Sequence, residues 1–348
     1  MAFVMVQGHV YETLLSAEAR ANFLYQAQVT FHGSTAPGFL FASGFVVGLP
    51  RAPLALGASL RRARRMLFVL GVAYALHLPY FSLWKTLLSA TPRERAALYA
   101  CDALQVIAVS QLMVIALQWL LRERWTLAAG GLALLVMALS PAIWASGLSA
   151  RVHPALGAYL DGTTGSHFPF FPFGAFVFAG NVAGALLGRQ EPEARRRRAR
   201  RSAGALIAAG LLLAALLYGR ADFWTVSPAY VFVRLGGLLL LLMAVERAAE
   251  RRVPGLGTLS LAGHETFQVF VFHLYLLYGW ILGPAPLGRW VGQLDFSGAA
   301  AALLAMLPVL LAPAWAWHTL KTHAPREASL FLLFVGTAFV YEFLRRPW

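Results

Sequence analysis

The sequence predicts an all-α fold, a polytopic transmembrane helical bundle of about 10–11 spans. Composition is the first ground for this. Of 348 residues, 59% are hydrophobic and only 13% charged, whereas a soluble domain carries about a quarter charged residues. Mean hydropathy is +0.63. Pattern is the second: apolar runs approach about twenty residues without alternating, which fits helices rather than the roughly ten-residue alternating strands of a barrel. The usual count of about one domain per 150 residues therefore does not apply, and residues 1–348 read as a single transmembrane domain.

Eleven apolar spans run at roughly 1–15, 33–50, 66–84, 102–121, 125–146, 168–188, 203–219, 228–247, 257–282, 297–318 and 328–344. About fifteen residues precede the polar stretch Ser16–Asn22, fewer than the roughly twenty a span needs. The first helix is thus expected to begin upstream of this sequence. No basic leader and no small-residue cleavage site marks a signal peptide. No repeat stands out at a fixed period. Gly180, Gly184 and Gly188 recur every fourth residue, the pattern of a close helix contact in a membrane.

The net charge of +14 would suggest nucleic acid on a soluble protein. Here the arginines read as loop residues between spans, and no nucleic-acid module accompanies them. Arg61, Arg62, Arg64 and Arg65 follow the second span, and Arg195–Arg198, Arg200 and Arg201 follow the sixth. By the positive-inside rule, the N-terminus and the even-numbered loops lie in the cytoplasm. With Cys101 as its single cysteine, the chain cannot form an intrachain disulfide or a cysteine-based metal site.

Ionisable groups at membrane depth are costly, about +2.5 kcal/mol or more at a helix centre, and usually face a cavity or a partner. On this topology His9, His32, His77, Asp102, Gln105, His167, Arg234 and His273 all fall toward the outer ends of their spans. His264 and Glu265 fall at an inner end. Taken singly, His32 and His167 also fit histidines that meet headgroups or water, and Arg234 also fits a snorkelling side chain. Together they point to one polar pocket opening outward. Histidine is the common general base near neutral pH. Asp102 could hold an imidazole tautomer or pair with Arg234, and Arg234 could stabilise an oxyanion. The histidines lack the close spacing on one helix of a metal site, so no metal is expected.

Several stretches resemble a known family. "MVQGHV" followed by "HGSTAPGFLFASG" resembles the first two helices of the membrane acetyltransferases related to heparan-alpha-glucosaminide N-acetyltransferase. "CDALQVIAVSQLMVIAL" and "FPFFPFGAFVFAGNVAGALLG" are similar to two middle helices of that family. "GHETFQVFVFHLYLLYG" resembles a late helix shared with the wider acyltransferase type-three superfamily, including its bacterial branch. The matches keep their order over about residues 1–282. Val106 stands where the family has arginine, and Gln268 and Phe270 stand in place of its late-helix serine and tyrosine.

The resemblance implies transfer of an acetyl or other acyl group from cytoplasmic acetyl-CoA or another acyl-CoA to an extracytoplasmic glycan or lipid hydroxyl or amine. It implies an integral protein of a bacterial inner membrane, with the bilayer and the acceptor as partners. His32 matches the family's catalytic histidine, and His9 and His273 match histidines of the bacterial branch. Asp102 joins this catalytic group. Arg234, Gln105, His77 and His167 are candidates for substrate contact. Arg61, Arg62, Arg64 and Arg65 are candidates for the CoA phosphates, since arginine pairs well with phosphate; they equally fit topology determinants alone. The alternative reading is a transporter or flippase using the same outward-facing cavity.

Overall fold

A computed structural model describes residues 1–49, 55–219, 222–280 and 283–346. It is all-α. In chain order the helices are α1 (Ala2–Leu14), α2 (Ala17–Ala21), α3 (Phe23–His32), α4 (Thr35–Gly48), α5 (Leu56–Ala75), α6 (Leu83–Ser89), α7 (Pro92–Tyr99), α8 (Ala103–Leu121) and α9 (Trp125–Ser146). Then follow α10 (Pro154–Leu160), α11 (Phe170–Leu187), α12 (Pro192–Leu216), α13 (Pro228–Glu250), α14 (Leu256–His264), α15 (Thr266–Tyr278), α16 (Phe296–His323) and α17 (Pro325–Arg345). No β-strand occurs among the described residues.

Local chemistry sets the ends. Thr91 and Glu94 close a capping box before Pro92, which opens α7. The Asp295 carboxylate accepts the Gly298 N–H at 2.7 Å and starts α16. Gly147 (φ 62°) ends α9 and Gly279 (φ 70°) ends α15, in the region that only glycine enters without cost.

Six helical stretches among the described residues are long and apolar enough to cross a membrane: Ala103–Ser146, Phe170–Leu187, Pro192–Leu216, Pro228–Glu250, Phe296–His323 and Pro325–Arg345. The first contains α8 and α9, joined through Arg122–Arg124. Other apolar runs divide differently from the sequence reading. The run 66–84 leaves its helix at Ala75, a few residues before Pro79, which cannot continue a helix. The run 257–282 breaks at Glu265 (φ −102°, ψ 23°) into α14 and α15.

A correction concerns the arginines. Arg61, Arg62, Arg64 and Arg65 are not loop residues but lie on α5, and Arg195–Arg198, Arg200 and Arg201 lie on α12. Arginine is a good helix former, so each helix continues beyond its apolar stretch. On α5, Arg61, Arg64 and Arg65 share one exposed face by their spacing. Arg62 is partly buried and has one buried guanidinium nitrogen without a hydrogen-bond partner.

The chain divides into two compact units: Met1–Thr35 with Leu78–Ala90 and Arg251–Trp348, and Ala36–His77 with Thr91–Glu250. In the first, α1 packs on α15 and α16. In the second, α9, α8 and α13 pack around α11, whose Phe176 and Phe178 are fully buried. The glycine periodicity finds its reason there. A Cβ on Gly180 would stand 2.1 Å from the Phe41 carbonyl oxygen, and one on Gly184 2.1 Å from that of Phe45. Gly44 and Gly48 reciprocate, 2.1 Å from the Val177 oxygen and 2.2 Å from that of Asn181. The seam brings the backbones of α4 and α11 together as small residues permit.

Candidate active site

In the first unit, α1 carries His9 and Thr13, one helical turn apart and so on one face. α15 carries His273 and ends at Tyr278. His9 Nδ1 lies 2.7 Å from His273 Nε2, with the two rings nearly parallel at 7° and 5.0 Å between centroids, as an in-plane hydrogen bond requires. His273 is fully buried, and its Nδ1 lies 3.0 Å from the Val269 carbonyl oxygen.

A carbonyl oxygen only accepts, so His273 Nδ1 carries a proton. In the neutral ring Nε2 is then the acceptor, and His9 Nδ1 donates to it. This leaves the lone pair of a neutral His9 on Nε2. The chain of hydrogen bonds has one direction, and it fixes the tautomer of His9.

His32, the last residue of α3, presents its ring edge-on to His9, 5.6 Å between centroids. It fits there because residue 8 has no side chain: a Cβ on Gly8 would stand 1.7 Å from the His32 ring. Thr13 Oγ1 donates to Tyr278 Oη at 2.8 Å, and the Tyr278 ring is 6.5 Å from that of His9.

The second unit holds a different arrangement. Asp102 is the N-cap residue of α8. His77 Nε2 lies 2.9 Å from Asp102 Oδ2, and His167 Nδ1 lies 3.2 Å from Oδ1. His77 Nδ1 faces the Ala73 carbonyl oxygen at 2.9 Å. With an acceptor at each nitrogen and Asp102 ionised, His77 must donate from both, so it is an imidazolium. It serves as a fixed cation, not a base.

Burial by itself would raise the Asp102 carboxyl, but hydrogen bonds from His167 and His77 outweigh it and hold the group well below the usual carboxylate range. A lowered folded-state value contributes stability that is present above the unfolded value of about 3.9 and is lost as pH falls through the folded one. Purified wild type should therefore lose thermal stability below about pH 4, and Asp102→Asn should flatten that acid limb. At neutral pH Asp102→Asn should cost about 1.5–3 kcal/mol, the range for hydrogen bonds to charged groups. Melting curves over a pH series check both, and an unchanged acid limb counts against the ion pair.

The remaining candidates fall as follows. Gln105 is fully buried. Its Oε1 accepts the Asp102 N–H at 3.1 Å and its Nε2 donates to the Ala100 carbonyl at 3.2 Å. Both ends of the amide are bonded to the turn that holds Asp102. Asp102, expected to pair with Arg234, is instead engaged by the two histidines. Arg234 lies on α13 over the rings of Tyr230 and Trp224, 5.3 and 5.8 Å from their centroids, which supplies cation–π attraction.

Sequence reasoning picked out His264 and Glu265 without finding their setting. Glu265 is 3% exposed and accepts from Lys321 Nζ at 2.7 Å and His318 Nδ1 at 2.8 Å. The signal was a lone carboxylate inside an apolar run. Thr13 and Tyr278 gave none, since a hydroxyl in an apolar helix is ordinary. Among the described residues, no three His, Cys, Asp or Glu side chains gather into a set that could hold a metal ion.

Compared with known proteins, residues 1–318 match the acyltransferase domain of the type 3 family. Neither a curated protein nor a solved structure matches the chain. With the match spanning most of its length and six apolar stretches able to cross a bilayer, the chain belongs to the acyltransferase type 3 family of integral membrane acyltransferases.

Proposed function

We propose that this protein transfers an acetyl or other acyl group from acyl-CoA, reached from the cytoplasm, to a hydroxyl or amine of an extracytoplasmic glycan or lipid, with His9 as general base. The observation that carries this reading is the directed hydrogen-bond chain from His9 through His273 to the Val269 carbonyl. Family membership supplies the reaction class, and the chain supplies a base with a defined basic nitrogen.

His9 Nε2 takes the acceptor's proton as its oxygen or nitrogen attacks the acyl carbonyl carbon. The carbon–sulfur bond then breaks and CoA leaves as a thiolate, which takes the proton back from the His9 imidazolium. His273 is a positioning residue that keeps the His9 tautomer. His32, edge-on to His9, borders the acceptor. In the unit built around α11, His167 and Arg234 are the candidates for contact with a polar substrate, and His77 holds Asp102. Arg61, Arg64 and Arg65 present one basic face for the CoA phosphates. The setting is a bacterial inner membrane.

The test is transfer of label from radiolabelled acetyl-CoA to total envelope glycans and lipids, in membranes carrying wild type, His9→Gln, His32→Ala or an empty vector. Label with wild type, none with His9→Gln and a residual rate with His32→Ala supports the assignment. Loss confined to His32→Ala moves the base to His32. No label above vector from folded protein overturns the acetyl-CoA reading.

A further inference from the structure

We infer that Tyr278 is a catalytic residue of the same site, donating its phenolic hydrogen to the oxyanion that forms on the acyl carbonyl oxygen, with Thr13 as the residue that aims it. The inference rests on the reading of His9 as the base. Three observations carry it.

First, the hydrogen bond between the two hydroxyls has a direction. Thr13 Oγ1 donates to Tyr278 Oη at 2.8 Å, so the tyrosine oxygen has an incoming hydrogen and its own O–H points elsewhere. Thr13 is 9% exposed, whereas Tyr278 is 54% exposed. The buried partner fixes the rotor, and the exposed one is accessible to a substrate.

Second, base and donor are registered on the same helix pair. His9 and Thr13 sit one turn apart on α1, opposite His273 and Tyr278 on α15. The His9 and Tyr278 rings stand at 72° with centroids 6.5 Å apart. A carbonyl bond is about 1.2 Å long. A single acyl group can therefore present its carbon to a nucleophile held by His9 and its oxygen to Tyr278.

Third, the backbone after Tyr278 is fixed. Gly279 has φ +70°, and a Cβ there would stand 2.6 Å from the Ala285 nitrogen and 2.9 Å from the Gly283 oxygen. The turn at the end of α15 is closed on itself, and Trp280 and Gly283 exchange backbone hydrogen bonds at 3.0 and 2.9 Å. A donor held before charge develops stabilises the transition state without reorganising.

In the full step, the acceptor's O–H or N–H gives its proton to His9 Nε2 and its electron pair to the acyl carbon. The carbonyl π pair moves to oxygen, where Tyr278 O–H meets it. Return of that pair reforms C=O and expels the CoA thiolate, which collects the proton from His9. Tyr278 keeps its own hydrogen throughout.

The experiment uses the purified full-length protein with radiolabelled acetyl-CoA and an envelope glycolipid extract, comparing wild type, His9→Gln, Tyr278→Phe, Thr13→Val and the Tyr278→Phe/Thr13→Val double variant. Tyr278→Phe should lower kcat by about 10²–10³-fold while the KM for acetyl-CoA stays within about twofold. Thr13→Val should lower kcat by about tenfold and add nothing in the Tyr278→Phe background, because it acts through that hydroxyl. A Tyr278→Phe enzyme at wild-type kcat, beside an inactive His9→Gln, overturns the inference and leaves the base assignment standing. Wild-type rates in both, or no transfer by wild type, remove both readings. If Tyr278→Phe elutes as aggregate, Thr13→Val alone decides: wild-type kcat there overturns the proposal.

Discussion

Replacing His9 by glutamine should lower acyl transfer by about two to four orders of magnitude, the range for loss of a positioned general base. Glutamine keeps a donor that can reach His273 Nε2, so the packing of α1 on α15 survives while the basic nitrogen is lost. The loss should fall on kcat, with the KM for acetyl-CoA little changed, since His9 acts on the acceptor's proton rather than on CoA binding. His273→Asn is expected to be milder, because it removes the group that fixes the His9 tautomer and leaves the imidazole itself. An ordering with His273→Asn more damaging than His9→Gln would mean that the basic nitrogen belongs to His273. Purified variants of equal melting temperature, assayed for initial rate at saturating acetyl-CoA, give the answer.

Gly180→Ala should be a strongly damaging single-methyl change in the unit built around α11. The added carbon would stand 2.1 Å from the Phe41 carbonyl oxygen, and a backbone atom cannot rotate away. The helices must separate along the whole seam, which also carries Gly44, Gly48 and Gly184. Overpacking of this kind costs about 1–3 kcal/mol, sometimes more. Gly131→Ala on α9 is the matched control. Nothing lies within 4 Å of its Cβ position, and there the better helix propensity of alanine should raise stability by up to about 1 kcal/mol. Thermal melting of both variants in detergent separates the two effects. Equal melting temperatures would show that α4 and α11 are not in backbone contact.

Much of the helical architecture was legible because long apolar runs have few alternatives in a membrane. The glycines of α11 announced their seam for the same reason, since period four with no side chain has few other uses. Helix ends were less legible. Hydropathy sees α5 begin where its apolar residues begin, whereas the backbone is already helical at Leu56, because arginine favours a helix whether or not lipid surrounds it.

For the candidate site, composition located His9, His32, His77, Asp102, His167 and His273 but not their division into two groups. Nor could it give their protonation. His77 and His273 are both histidines beside apolar residues in the sequence. One faces a carboxylate and a carbonyl and is a cation; the other faces a carbonyl and a second imidazole and is neutral. The carboxylate and the second imidazole lie 25 and 264 residues away, beyond the reach of any local pattern.

The contact between Gly8 and the His32 ring has a consequence for sequence variation among relatives. Position 8 and position 32 share one volume, so their side chains trade against each other. A relative with alanine or serine at the position of Gly8 has no room for an imidazole at the position of His32 while α1 and α3 keep this spacing. The two sites should therefore be exchanged as a pair, and a glycine retained at the first should mark the relatives that keep the histidine at the second. A survey that finds the two positions varying independently would place the His32 ring elsewhere.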